Sequence, residues 1–249
     1  MGKLTGKVAV VSGGSKGIGG AIVRAFATEG ADVAFCHLGD PEGAAATVAA
    51  VEALGRRAYA MEVDVASSDA CRAFAAAANS ALGPVDILVA NAGSSSHAPF
   101  EHLTEEAFDR VINVHLRGTF FLAQAVYPGM KERGAGRIIT ITSQLVFKGA
   151  VNITHYVAAK AAILGFTRAL ALEAAPHGVL VNSIAPGATD TDLLRKRPEE
   201  WLAAKARALP IGRLATPEDI APTAVLLASD DGRYFVGACL SPNGGDVMV

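Results

Sequence analysis

The chain is predicted to fold as α/β: a single domain, residues 1–249, built on a doubly wound parallel sheet with helices on both faces. Three observations predict it. Strand-like and helix-like stretches alternate along all 249 residues. The strand-like stretches are near-continuous apolar runs, as strands covered on both faces require. Polar residues and glycines gather just after the strands, where parallel sheets bind ligands.

Each element has its own warrant. Residues 7–14, KVAVVSGG, read as a first strand and turn, and 18–30 as a helix stopped by Gly30. Residues 31–37 form a second strand. Residues 41–55 form a helix with Pro41 in its first turn and Gly55 at its end. A third strand (57–65), a third helix (67–83) and a fourth strand (85–93) follow. Residues 105–134 read as one long helix. Residues 136–143 are a fifth strand, 155–178 a helix and 179–187 a sixth strand. Residues 217–232 are a late helix, and 238–245 close the chain as a short strand. Strand–helix–strand units of this spacing imply right-handed crossovers. Thr189 to Pro210 is left as a long loop, and such loops in compact domains are usually functional.

Composition narrows the function. Apolar residues make up 51% and charged residues 18%, ample for a large core. A net charge of -2 gives no electrostatic footprint for nucleic acid. Cys36, Cys71 and Cys239 are odd in number and far apart, so neither a disulfide framework nor a metal site is expected. No run of 18 apolar residues and no leader pattern is present; a cytoplasmic protein without a membrane span is the expectation.

The first strand ends in SGGSKGIG. Gly13, Gly17 and Gly19 let the backbone turn tightly and approach a pyrophosphate, toward which the next helix points its N-terminus. Tyr156 and Lys160 stand four apart and share a helix face. A nearby ammonium favours tyrosinate, so the pair is suited to proton transfer. Ser143 ends the fifth strand, where its hydroxyl suits a carbonyl oxygen gaining charge. Asn91-Ala92-Gly93 ends the fourth strand, and Pro186-Gly187 the sixth. Asn113 lies inside the long helix. His115, two residues on, is expected to face away from it, and His155 to sit at a pocket rim or on the surface.

With these residues in this order the chain resembles a short-chain dehydrogenase/reductase over essentially its whole length. SGGSKGIG, Asp64-Val65, ANAG at 90–93, Asn113, Ser143, YVAAK at 156–160 and PGATDT at 186–191 carry the resemblance. Ser12 and Ala90 are mild departures. The resemblance implies a Rossmann-type domain, a nicotinamide nucleotide and a tetrad of Asn113, Ser143, Tyr156 and Lys160. Tyr156 would be the acid or base and Lys160 would lower its pKa. Ser143 would hold the substrate oxygen, and Asn113 a water leading to Lys160. It places the nucleotide against Gly13, Ser15, Lys16, Gly17, Ile18, Gly19, His37, Leu38, Asp64, Val65, Asn91, Ala92 and Gly93. Tyr156, Lys160, Pro186, Gly187, Thr189 and Thr191 complete its contacts.

The second strand ends at His37 rather than at the acid that would bind a ribose 2′-hydroxyl and repel a 2′-phosphate. Lys16 suits that phosphate. Leu38 stands where many NADP-using relatives carry arginine, and Asp40 could return to the site only if its loop curls. NADP(H) is expected, with NAD(H) accepted. Ser95, Gln144, Leu145, Leu193, Leu194 and Trp201 are the expected substrate wall. Ketone or 3-oxoacyl reduction is the first reading, oxidation of a sugar or cyclic polyol the second, and a non-catalytic nucleotide sensor or scaffold the remote third. A docking acyl carrier is weakened by His177, although Arg133 could serve. The apolar helix after His155 and the resemblance suggest a homotetramer.

Overall fold

The computed structural model describes residues 2–248. Seven parallel strands form one sheet: β1 (Val8–Ser12), β2 (Asp32–His37), β3 (Ala58–Glu62), β4 (Ile87–Ala90), β5 (Gly136–Ile141), β6 (Val179–Ile184) and β7 (Cys239–Leu240). Their spatial order is β3-β2-β1-β4-β5-β6-β7. The order reverses between β1 and β4, and a crevice opens there beyond the strand ends.

Alternation decides which core each side chain joins. Ala9, Val11, Val33, Phe35, Ile87 and Val89 enter one apolar cluster with Phe26 and Ile220. Val10, Ala34, Cys36 and Leu88 enter the other with Phe74, Leu122 and Met130. The first cluster lies under α1 (Gly17–Thr28), α2 (Pro41–Ala53) and α9 (Pro217–Ala228). The second lies under α3 (Ser68–Leu82), α5 (Gly118–Arg133) and α7 (Thr154–Ala174). A strand with both faces buried has no polar face to show, hence the unbroken apolar runs.

Three expectations change. The long helix is interrupted. It runs as α4 (Glu105–Ile112), then a π-helical turn at Asn113–Arg117, then α5. The Gly118 amide reaches the Asn113 carbonyl, five residues back. The wider turn resets the helix face at this point. A single turn, α6 (Leu145–Lys148), follows β5 where no element was expected. The loop after β6 contains α8 (Glu199–Ala208). Glu199 and Glu200 in its first turn and Lys205 and Arg207 in its last suit the helix dipole. Among the described residues, no helix is long and apolar enough to cross a membrane.

Asp32 opens β2 at the edge opposite the crevice. Its carboxylate accepts from Arg56 Nη2 at 2.6 Å, Arg57 Nε at 2.7 Å and the Arg57 amide at 3.0 Å. Asp32→Ala removes a buried acid and leaves the partly buried Arg56 and the exposed Arg57 to solvent. Urea denaturation should show a loss of about 1–2 kcal/mol, with the nucleotide Kd of the folded protein within twofold of the parent.

Candidate active site

A cleft of about 680 Å³ opens at the carboxyl ends of the strands. Every site residue expected from the sequence lines it except Asn113. Its floor is the glycine loop. Gly13 and Gly17 have φ of +66° and +55°, a left-handed backbone that only glycine adopts freely. A Cβ on Gly19 would stand 2.0 Å from the Gly13 carbonyl oxygen. A chain wound this tightly, at the start of a helix, fits a pyrophosphate.

The loop is held by β4. Ser12 Oγ accepts from the Asn91 and Ala92 amides, each at 2.9 Å. Asn91 Nδ2 donates to the Ser12 and Gly13 carbonyls at 2.9 and 3.2 Å. The Asn91 amide nitrogen is thus committed to the backbone, although the residue borders the cleft as expected.

At the next strand end, Lys160 is 3% exposed and donates to the Ile141 carbonyl at 2.6 Å. Its Nζ lies 5.8 Å from the centre of the Tyr156 ring. Burial lowers Lys160 to about 7. Burial raises Tyr156, and the nearby Ser143 hydroxyl draws it only partly back. Desolvation is the largest influence on both groups. Ser143 is buried beside them, and its Oγ accepts from the Leu145 amide at 3.2 Å.

The structure does not bring the fourth expected tetrad residue into the cleft. Asn113 is half-buried and lies outside the cleft lining. His115 lines the cleft instead, 1% exposed, its ring edge-on to Tyr156 at 5.3 Å. The two residues do point apart, as two steps along a helix require, but it is the histidine that faces the site. Its Nε2 lies 2.6 Å from the Ser94 carbonyl oxygen and 3.1 Å from the Ser94 amide. One nitrogen makes only one of these bonds at a time, and in either tautomer the buried Nδ1 has no partner. A Cβ on Gly93 would stand 2.6 Å from the ring, so glycine makes room for it.

His155 is also corrected. It is 2% exposed, and its Nε2 meets Ser96 Oγ at 2.9 Å. It anchors the 94–98 wall from behind.

At the far end of the cleft, Gly39 takes φ +63° and the loop after β2 curls. Asp40 consequently lines the cleft. Lys16 Nζ lies 3.6 Å from Asp40 and 3.1 Å from Asp192. Lys148 and Lys205, which the sequence left unassigned, line the cleft, as does Arg197, one of three basic residues (Arg195, Lys196, Arg197) that the sequence offers either to an anionic substrate or to solvent. The i,i+4 spacing of Arg197 and Trp201 was a usable signal; the guanidinium lies 4.7 Å from the indole. Among the described residues, no group of three or more His, Cys, Asp or Glu is placed to hold a metal.

A doubly wound sheet with a glycine-loop cleft, and with serine, tyrosine and lysine converging in it, defines a nucleotide-dependent oxidoreductase. A family profile described as "Enoyl-(Acyl carrier protein) reductase" matches residues 13–246. An acetoacetyl-CoA reductase of Shinella zoogloeoides is 40% identical, over 98% of this chain and 99% of its own. A blue fluorescent protein from a metagenomic library, solved with NADPH, is 39% identical with a TM-score of 0.93, covering 99% of this chain and 100% of its own. A 7α-hydroxysteroid dehydrogenase, solved with NADH and 7-oxo glycochenodeoxycholic acid, is 36% identical with a TM-score of 0.94, covering 99% and 96%. The chain belongs to the short-chain dehydrogenase/reductase family, oxidoreductases that act on CH–OH groups with NAD(P).

Burial, then Lys160, then His155 lower His115 to about 3, with the Ser94 bond opposing. An unfolded histidine binds a proton below about 6.5, whereas this one stays neutral until about 3. Between those values the unfolded state holds more protons, so stability falls as pH falls, by up to roughly 1.4 kcal/mol per pH unit. His115→Asn should flatten that slope in denaturation series run from pH 6.5 to 4.

Proposed function

We propose that this protein is an NADP(H)-preferring reductase of ketones or 3-oxoacyl compounds, working reversibly on an alcohol/carbonyl pair. The observation that carries it is the meeting of Ser143, Tyr156 and Lys160 in one cleft with the glycine loop. The apolar wall of Leu145, Leu193, Leu194 and Trp201 suits an acyl or ring substrate, and the acetoacetyl-CoA reductase is a relative over nearly the whole chain.

The glycine loop and the residues from Pro186 to Thr191 would hold the nucleotide, which when bound supplies or accepts the hydride and, oxidised, adds a positive charge. Ser143 donates to the substrate oxygen. Tyr156 gives its phenolic proton to that oxygen in reduction and takes it back in oxidation. Lys160, poised near neutrality, offers its ammonium to the tyrosinate. We assign His115 the place beside Tyr156 that the sequence reading gave to Asn113. It fixes the phenol ring, and its free Nδ1 can hold a water toward Lys160. We further propose that the cytosolic protein is a homotetramer; Phe120 on α5 and Leu172 on α7 are large apolar side chains left exposed in one chain.

NADP(H) preference rests on His37 in place of an excluding acid and on Lys16, whose side chain is more than half exposed. Asp40 and Asp192 compete for that ammonium, so the preference is modest. The kcat/KM ratio of NADPH to NADH should exceed one. Lys16→Ala should lower it and Asp40→Asn raise it, each by about twofold to fivefold, the size of an exposed charge contact. Tyr156→Phe should cut kcat by roughly 10²–10⁴-fold and leave the nucleotide Kd nearly constant. Loss of nucleotide binding in that variant, or full turnover, would contradict the mechanism.

A further inference from the structure

The substrate end of the cleft carries a cluster that the hydride chemistry does not use. Asp246 lies near the end of the chain, its side chain 11% exposed. Its Oδ1 meets Lys148 Nζ at 2.7 Å and its Oδ2 meets Lys205 Nζ at 2.6 Å. Gln144, the neighbour of Ser143, donates Nε2 to the same Oδ2 at 2.5 Å. Three elements thereby meet on one carboxylate: Gln144 and Lys148 at α6, Lys205 on α8, and the C-terminal segment.

Two features of this cluster are unbalanced. The first is charge. Two ammonium groups share a single carboxylate, and both line the cleft with side chains only 32% and 19% exposed. Arg197, stacked on Trp201, adds a third cation on the same side. The carboxylates that line the cleft are engaged elsewhere: Asp40 and Asp192 with Lys16, Asp64 with Arg110. Glu199 and Glu200, on the first turn of α8, are exposed and outside the lining. A half-buried excess of positive charge is costly unless an anion joins it.

The second is a hydrogen bond left unmade. Because the Asp246 carboxylate only accepts, the Gln144 amide must turn its nitrogen toward it. Its Oε1 is then a buried acceptor with no donor, on a residue 3% exposed that lines the cleft. Buried polar atoms of this kind are rarely left unpaired, and a ligand donor would satisfy it.

We propose that the substrate bears an anionic group, carboxylate or phosphate, remote from its reacting carbonyl, and that Lys148 and Lys205 bind it. Asp246 holds the two ammonium groups apart and in place, and Gln144 accepts a hydrogen bond from the same substrate. The inference rests on the reductase reading above and names the substrate class for that site.

Steady-state kinetics with NADPH on matched ketones tests it. 4-Oxopentanoate against its methyl ester isolates a carboxylate, and acetoacetyl-CoA against acetoacetyl-pantetheine isolates phosphates. In at least one pair the charged member should have a kcat/KM at least tenfold higher, mostly through KM, and the advantage should shrink as salt rises. Lys205→Met and Lys148→Met, with Lys205→Arg as the charge-preserving control, should lower the charged-to-neutral ratio at least tenfold; the arginine should retain most of it. Circular dichroism and NADPH titration establish that each variant is folded. Equal turnover of charged and neutral members overturns this inference and leaves the reductase reading standing, as does an equal loss on both in the methionine variants. If no ketone is reduced while NADPH still binds, the reductase reading fails and this inference falls with it.

Discussion

The bonds between Ser12 and Asn91 are the constraint on which the site depends. Beyond Val11 and Val89 the strands β1 and β4 stop pairing, because the chains leaving them turn to opposite faces of the sheet. That divergence makes the crevice and also exposes backbone groups that must find partners. Ser12 Oγ and the Asn91 amide supply them across the gap. The same knot positions two walls at once. It sets the glycine loop, into which Gly19 fits only because it has no Cβ. It also sets the path of residues 92–96, and so the height at which Ser94 meets His115 and Ser96 meets His155.

From that wall the electrostatics of the reacting corner follow. His115 and Lys160 are both desolvated, and the Lys160 ammonium further disfavours charge on His115. Two buried bases this close do not both keep a proton near neutrality. Lysine retains the stronger claim, having fallen to about 7 while histidine has fallen to about 3. In the proposed mechanism the mobile proton would belong to Lys160, with a neutral imidazole against the phenol. A cation at His115 would instead have competed with Lys160 for the tyrosinate. His115 reaches Tyr156 from within the π-helical turn.

Most of the fold was legible because its signals are local. Continuous apolar strands, glycine stops and Pro41 at a helix start each act within a few residues, and the structure starts those elements within a residue or two of expectation, although several end earlier than expected. The glycine loop and the Tyr156–Lys160 pair were legible for the same reason. What escaped depended on geometry that spacing does not carry. Asn113 entered the tetrad through resemblance, and no local signal shows that His115 is the residue of this stretch that lines the cleft. Asp40 reaches the cleft because Gly39 adopts a left-handed backbone, which a sequence permits without announcing. Lys148, Lys205 and Asp246 meet across stretches of up to 98 residues, and no periodicity links them. Helix α8 was missed for a different reason: the stretch from Thr189 to Pro210 was read whole as a long functional loop, although the charges at the ends of Glu199–Ala208 are arranged for a helix dipole.

The cleft is consequently not uniform in charge. Near the glycine loop, acids match bases: Lys16 faces Asp40 and Asp192, and Arg110 faces Asp64. A dinucleotide entering there exchanges existing ion pairs for new ones, so its phosphates gain less than a count of cations suggests. Across the reacting corner, Lys148, Lys205 and Arg197 outnumber the single carboxylate of Asp246. Selectivity among ligands follows differences in such balances rather than their totals. On the proposed reading, the balanced end would tolerate two nucleotides that differ by one phosphate. The unbalanced end would discriminate by charge, through groups spread over α6, α8 and the C-terminal segment. Those elements are joined through Asp246, so the same carboxylate that tempers the positive charge also closes the wall around it.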